Sequence, residues 1–189
     1  MTDLILVIFS AAIINNIIVM EMLGTDPMLS FLRKMDVARG LSLTLLIVLP
    51  VVTTTGYMVN QWILIPNHVE YLRLIVFILL ILCVAGLLKS FGKKINPALN
   101  IFLPAAGINT TVLGTLLLSN QHSLNLLSAT MYGIGSAIGF ALVLLMLTAI
   151  NERLETVAVP APFRGMPVLL LTLALLSMGF MGFIGITDI

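Results

Sequence analysis

Long apolar stretches separated by short polar connections run along the whole chain. Cutting the sequence at charges, prolines and glycines gives six stretches, each near the ~20 residues that span a ~30 Å hydrocarbon core. They cover residues 4–23, 41–62, 71–88, 97–118, 124–150 and 167–186. The pattern predicts an all-α, multi-pass membrane protein in which six transmembrane helices form a single membrane domain over residues 1–189.

Composition favours the same interpretation. Of the 189 residues, 60% are hydrophobic and 9% are charged, whereas a soluble domain has roughly 25% charged residues. The mean hydropathy is +1.17. A net charge of +1 gives no basic field that would attract nucleic acid, so the expected surroundings are membrane lipid.

Basic residues indicate how the chain is oriented. Eight of the nine Lys and Arg residues fall in the connections after the first, third and fifth stretches: Arg33, Lys34, Arg39, Lys89, Lys93, Lys94, Arg153 and Arg164. By the positive-inside rule these connections are cytoplasmic and both termini lie outside. Trp62 and Tyr71 are then expected in the outer interface.

Polar residues interrupt two of the apolar stretches at related places. Asn15-Asn16 lies within the first stretch and Asn109-Thr110-Thr111 within the fourth, and the offset from Asn15 to Asn109 is half the chain. Two halves of three helices each have opposite topology, and matching interruptions in such halves point to a midplane site. We therefore expect inverted halves at about 1–92 and 93–189.

The residues at these interruptions are the candidate lining of an ion pathway. A side-chain amide at membrane depth needs a protein or water partner, so the asparagines either form hydrogen bonds between helices or line a path. Glu21, near the end of the first stretch, either takes part in ion movement or reaches headgroup water. The full candidate set is Asn15, Asn16, Asn109, Thr111 and Glu21.

Small residues predict close helix packing in two places. The fifth stretch carries a ridge with four-residue spacing and two further glycines beside it, and the last stretch carries three glycines. The residues are Ala129, Gly133, Ala137, Ala141, Gly135 and Gly139, then Gly179, Gly182 and Gly185. Such residues let helix backbones approach one another.

The sequence offers no catalytic residue and no metal site. Cys83 is the single cysteine and is expected to be a small buried hydrophobe. His68 and His122 have no second ligand at a suitable spacing. Asp26 directly precedes Pro27, the pattern of a helix N-cap.

Several motifs carry a resemblance to a known family. They are Asn15-Asn16, Trp62-Ile63-Leu64-Ile65-Pro66 with Tyr71-Leu72-Arg73, Phe102-Leu103-Pro104, Val159-Pro160-Ala161-Pro162-Phe163-Arg164-Gly165, and Phe180-Met181-Gly182-Phe183. With them the chain resembles the family that contains the A subunit of Rnf-type ion-translocating oxidoreductases and the E subunit of the sodium-pumping NADH:quinone reductase. The resemblance covers essentially the whole chain.

The resemblance implies an electron-transport role in the bacterial inner membrane. It implies a six-helix subunit that pairs with a homologous subunit of opposite topology, of the Rnf E or Nqr D type. The complex would pass electrons between ferredoxin and NAD, or from NADH to quinone, while moving Na⁺ or H⁺. FMN, riboflavin and iron–sulfur clusters are expected in partner subunits, with no cofactor bound by this chain alone.

The sequence departs from the family at the positions of its cluster ligands. The resemblance implies two cysteines per subunit for a shared [2Fe–2S] cluster, but Asp26 and Thr110 stand at those positions. Because a neutral hydroxyl does not replace a thiolate, we predict that this chain does not ligate the cluster. Electrons then take another route, or the chain is a divergent copy that keeps the scaffold and ion path, or the two oxygens coordinate a hard cation.

Three functions remain open. The leading one is a subunit of an ion-pumping oxidoreductase, acting as scaffold and wall of an ion path. A stand-alone secondary transporter would also suit inverted halves with polar breaks. The third is a structural subunit needed only for assembly.

Overall fold

The chain is helical throughout the part that the structure describes. This computed structural model describes residues 2–24, 35–95, 97–107, 109–122 and 125–183, and all regular secondary structure in them is helix. Helices satisfy their own backbone N–H and C=O groups, as a bilayer requires. The all-α prediction is confirmed.

Eight α-helices occur in the described residues. They are α1 (Thr2–Phe9), α2 (Ile17–Glu21), α3 (Met35–Val59), α4 (Arg73–Ile95), α5 (Pro97–Gly107), α6 (Thr110–His122), α7 (Leu126–Glu155) and α8 (Met166–Met181). The π turns Ser10–Ile14 and Asn60–Leu64 extend α1 and α3, and the 3-10 turns Glu70–Leu72 and Ala161–Phe163 precede α4 and α8.

Three helical segments of the described chain are long and apolar enough to cross a bilayer. They are Met35–Leu64, Glu70–Ser90 and Leu126–Glu155, and they match the second, third and fifth predicted stretches. The helices Ile101–Gly107 and Thr110–Gln121 meet at 53° and make a fourth span when taken together. Leu4–Ile14 and Met166–Met181 are shorter apolar helices.

The interface between α3 and α7 forms the centre of the fold. Gly133 of α7 lies so close to α3 that an added Cβ would be 3.0 Å from Pro50 Cα and 3.1 Å from the Leu49 carbonyl oxygen. The hydroxyls of Thr54 and Thr130 are 2.8 Å apart across the same interface. At the far end Glu152 accepts a hydrogen bond from the first amide of α3, so the two helices are antiparallel.

The α1 segment packs along the neighbouring side of α7. A Cβ at Gly135 would lie 2.7 Å from the Ile8 carbonyl oxygen, and one at Gly139 would lie 2.6 Å from that of Ala12. The contacts advance together along both segments, which therefore run parallel. The close packing predicted for these glycines is confirmed, because each brings α7 against backbone.

The glycines of the last helix do not pack in this way. Nothing lies within 4 Å of a Cβ placed at Gly179, and one at Gly182 would meet only the Gly179 carbonyl oxygen of its own segment. The packing prediction is therefore wrong for these two residues within the described chain. Spacing identified small residues but not the side of α8 that faces the core. Gly185 lies outside the described residues.

The bent pair α5–α6 lies against α3 and runs parallel to it. Gly40 of α3 packs against the Phe102 ring, and Gly56 packs against the Leu116 side chain. This register places the break between α5 and α6 beside the middle of α3. The break is therefore buried at mid-depth in the bundle.

Candidate functional site

The first helix break is built by two adjacent asparagines that do different things. Asn16 has extended backbone (φ −65°, ψ 120°) and accepts a hydrogen bond from the Ile18 amide at 3.1 Å, which caps α2. Its Nδ2 donates to the Ala12 carbonyl at 2.8 Å, and the residue is fully buried. Asn15 is exposed and donates to Ser10 Oγ. Asn16 thus satisfies backbone groups on both sides of the break.

The second break has the same cap. Asn109 Oδ1 accepts a hydrogen bond from the Thr111 amide at 2.9 Å, at the start of α6. In each break the asparagine binds the amide two residues ahead, as an N-cap does. The caps are 93 residues apart (109 − 16), so the structure matches Asn16, rather than its neighbour, with Asn109.

Gly24 joins the segment after the first break to the start of α6. Its amide donates to Thr110 Oγ1 at 3.0 Å across 86 residues of sequence. An added Cβ at Gly24 would collide with the Thr111 hydroxyl, and the φ of +82° favours glycine. The Thr110 position is therefore in direct contact with the Leu23-Gly24 motif.

The segment from Ile17 to Gly24 does not continue α1. Both Ile17 and Leu23 lie against Gly114 of α6, and Gly24 lies beside Phe140 of α7. Met22 adopts a left-handed conformation with φ 55° and ends α2 after five residues. The prediction that the first stretch is one continuous helix is wrong, because the helix breaks at Asn15-Asn16 and α2 ends at Met22.

Two buried atoms at the second break have no hydrogen-bond partner in the described chain. They are Asn109 Nδ2 and Thr111 Oγ1, and the two residues are 4% and 0% exposed. An unpaired buried polar group costs about 1–3 kcal/mol. Such groups are commonly satisfied by water, an ion or a ligand, so the break can bind a small polar species.

The remaining residues predicted from the sequence lie away from the two helix breaks or outside the described residues. Glu21 is exposed at the last position of α2. Asp26 lies outside the described residues. Cys83 is exposed on α4, so the expectation of a buried thiol is wrong for this chain alone. Within the described ranges, no three His, Cys, Asp or Glu side chains come together as a metal site would need.

The sequence interpretation missed a second set of buried polar residues. On α6 these are Thr115 and Ser119, each 0% exposed, and in the π turn that extends α3 the set includes Asn60, 4% exposed. The signal was the four-residue spacing from Thr111 to Thr115 to Ser119, which puts the hydroxyls on one helical face. Single hydroxyl residues are common in apolar helices, so Thr115 and Ser119 do not stand out in the sequence.

The conspicuous Pro-Ala-Pro-Phe-Arg-Gly run forms the connection from α7 to α8. It borders a cavity of about 430 Å³ whose lining includes Glu155, Arg164 and Gly165. Gly165 has φ 87° and ψ −126°, a conformation that is nearly restricted to glycine. The glycine is therefore required by the shape of this connection.

Replacing Thr110 with valine tests the contact between the two segments. The variant keeps the shape of the side chain and removes the acceptor for the Gly24 amide. We expect the chain to lose about 0.6–2 kcal/mol, the usual value for one hydrogen bond between membrane helices. Thermal unfolding in detergent measures the change, and Thr110→Ser, which keeps the hydroxyl, should unfold like the parent. Equal stability of the valine and serine variants would contradict the contact.

Comparison with known proteins gives a full-length family match. Residues 4–187 match the family model described as "Rnf-Nqr subunit, membrane protein". The match includes both helix breaks and the connection between α7 and α8. It agrees with the resemblance drawn from the sequence motifs.

Three curated proteins, each named as the A subunit of an ion-translocating oxidoreductase complex, show how close the similarity is. The chain is 40% identical to the one from Pseudoalteromonas translucida (strain TAC 125), over 98% of both chains. It is 38% identical to the one from Thioalkalivibrio sulfidiphilus (strain HL-EbGR7), over 98% of this chain and 99% of the other. For Actinobacillus pleuropneumoniae serotype 5b (strain L20) the identity is 39% over the whole of both chains.

Proposed function

Because this chain belongs to the Rnf-Nqr family of membrane subunits, we propose that it is an integral subunit of an ion-translocating oxidoreductase complex. The complex would be of the ferredoxin:NAD or NADH:quinone type. The single observation that carries this proposal is the family match over residues 4–187. The chain serves as scaffold and as part of an ion path, and it has no catalytic residue of its own.

The proposed topology has six spans in the bacterial inner membrane, with both termini outside. The halves 1–92 and 93–189 of one membrane domain are inverted repeats. The equivalent asparagine caps of Asn16 and Asn109 support this proposal. The parallel course of α1 and α7 also supports it, because the first and fifth of six alternating spans run in the same direction.

The ion path is proposed to pass the helix breaks. Its candidate lining is Asn15, Asn16, Asn109, Thr111 and Glu21. The strongest support comes from the second break, where an amide nitrogen and a hydroxyl are buried without a partner among the described residues. Asn16 supports the path by holding the first break open, since both ends of its side chain bind backbone.

The residues present do not fit the [2Fe–2S] cluster that the family implies. Thr110 offers a neutral hydroxyl, which already accepts the Gly24 amide. Ala85 of α4 faces Gly107 of α5. Cys83 comes two residues before Ala85, and two residues along a helix turn the side chain to nearly the opposite side. Cys83 therefore lies on the side of α4 away from Gly107. We propose that this chain ligates no cluster, and Asp26 with Thr110 remains a candidate pair for a hard cation.

Iron analysis of the purified complex tests this proposal. Replacing Thr110 with alanine, Asp26 with alanine or Cys83 with serine should leave the iron content and the EPR signals of the complex unchanged, because none of these side chains binds iron. The unsubstituted complex is the reference. Loss of a two-iron signal in any of the three variants would overturn the proposal.

The partners follow from the proposed complex. They are a homologous six-helix subunit of the Rnf E or Nqr D type, other Rnf or Nqr subunits, and membrane lipid. FMN, riboflavin and iron–sulfur clusters are proposed to reside in those partner subunits. Purification of the tagged chain in mild detergent should bring along the homologue and subunits that carry flavin or iron.

A stand-alone transporter is the second candidate function. Capped breaks in two apolar helices favour it, because interrupted helices form midplane substrate sites in transporters. The same purification separates the two functions. A transporter would be recovered alone or as a homo-oligomer, without a redox subunit, and that outcome would refute the proposed complex.

A further inference from the structure

One face of α6 is a line of buried hydroxyls that begins at the second helix break. Thr111, Thr115 and Ser119 follow one another at intervals of one helical turn, and each is 0% exposed. Asn120 comes directly after them near the end of α6. The line therefore leads from mid-depth toward the end of the helix.

Two side chains in this part of α6 donate hydrogen bonds to carbonyls of their own helix. Thr115 Oγ1 donates to the Thr111 carbonyl at 2.7 Å, and Asn120 Nδ2 donates to the Leu116 carbonyl at 2.9 Å. The oxygen lone pairs of both side chains remain available as acceptors. Asn120 Oδ1 is buried and has no partner in the described chain.

A second acceptor lies at the same depth on α3. Asn60 opens the π turn that extends α3, is 4% exposed, and has an unpartnered, buried Oδ1 among the described residues. Gly56 faces Leu116. Asn60 comes four residues after Gly56, and Asn120 comes four residues after Leu116. Since α3 and α6 run parallel, the two residues stand at a similar level of the bundle. π turns within α-helices are frequent at functional sites.

We propose that Asn60, Asn120, Ser119, Thr115 and Thr111 form the outer half of a path for a partly hydrated monovalent metal cation of about the size of Na⁺. The path leads from the face that carries the connection between α3 and α4 to the break at Asn109. This inference rests on the proposed function and deepens it. It names the residues and the kind of ion for one half of the membrane.

The chemistry of the line selects the ion. Neutral amide and hydroxyl oxygens suit hard cations. None of the five residues titrates, so they cannot relay a proton by changing their own charge. At the outer end of the line the unpartnered buried atoms are the amide oxygens of Asn60 and Asn120, which accept and therefore favour a cation over an anion.

Thiol labelling from one side of the membrane tests the path in the intact complex. Cys83 is first replaced by serine, and then Thr115→Cys or Asn120→Cys is introduced. Thr148→Cys is the matched control, because Thr148 is also 0% exposed and donates to the carbonyl four residues earlier, at 2.8 Å. The probes are the trimethylammonium-ethyl and sulfonato-ethyl methanethiosulfonates, and mass spectrometry of the labelled chain gives the readout.

The cationic probe applied from the outside should modify the thiols at 115 and 120 about tenfold or more faster than the thiol at 148, because thiol reactivity follows exposure. The anionic probe should be much slower at both positions, and Na⁺ should slow the cationic one. Equal rates at 115, 120 and 148 would overturn the inference. Access from the cytoplasmic side alone, or faster reaction with the anion, would also overturn it.

Measuring Na⁺ transport by the complex distinguishes failure of this inference from failure of the proposed function. Thr115→Val should lower Na⁺ uptake per electron in proteoliposomes severalfold, while Thr148→Val should not. If the unsubstituted complex moves H⁺ but no Na⁺ during electron transfer, the inferred Na⁺ path fails whatever the labelling rates, and the proposed function stands. If it moves neither ion, the proposed function fails as well. If it carries Na⁺ equally well with valine at 115, the inference alone fails.

Discussion

Replacing Gly139 with alanine is expected to destabilise the protein and to lower its amount in the membrane. An added Cβ would lie 2.6 Å from the Ala12 carbonyl oxygen and 2.7 Å from Asn16 Nδ2. The first is backbone and the second is held by its hydrogen bond to Ala12, so neither can move cheaply. Overpacking costs about 1–3 kcal/mol, and here it also separates the Asn16 cap from α7. Immunodetection in membranes and melting of the solubilised complex measure the effect.

The chain provides a matched control for this substitution. Gly86 is also inside a long apolar helix, and nothing lies within 4 Å of a Cβ placed there. Gly86→Ala should therefore leave the amount and the melting temperature of the protein unchanged. A Gly139→Ala variant as abundant and as stable as Gly86→Ala would show that α1 does not pack on α7 as described.

The apolar stretches could be predicted from the sequence because length and hydropathy alone define them. The predicted stretch 71–88 lies within the segment Glu70–Ser90, for example. The course of the chain after Asn16 could not be predicted in this way. It depends on the left-handed residue Met22 and on contacts of Ile17 and Leu23 with α6. Residues 17–23 are apolar apart from Glu21, so hydropathy alone gives no sign of the turn.

The candidate site was predictable in part. Polar residues in apolar stretches drew attention to Asn16 and Asn109, but the sequence could not say which of two adjacent asparagines caps the helix. That choice depends on the extended backbone of Asn16, which turns its Oδ1 toward the Ile18 amide. Asn60 could not be singled out either, because its importance lies in its depth relative to Asn120, and that depth is set by the packing of Gly56 on Leu116.

Replacing Asn109 with leucine is expected to leave the complex assembled and to lower ion-coupled turnover strongly. The variant loses one hydrogen bond, the cap to the Thr111 amide, which is worth about 1 kcal/mol. The unpartnered Nδ2 forms no hydrogen bond that leucine would remove, yet it can hold a water molecule that solvates an ion at the break. Leucine would instead make the passage apolar, and apolar constrictions close by losing water. Na⁺ uptake per electron should fall by about tenfold, a change of about 1.4 kcal/mol.

Two further variants identify the cause of that loss. Asn109→Ser keeps an oxygen that can cap α6 but has no amide, so its uptake should also fall while its stability stays close to that of the parent. Asn16→Leu removes two hydrogen bonds to buried backbone groups, at about 1–3 kcal/mol each, so it should assemble poorly. If Asn109→Leu assembles as poorly as Asn16→Leu and Asn109→Ser restores full uptake, Asn109 acts only as a cap, and the subunit serves as scaffold at this break.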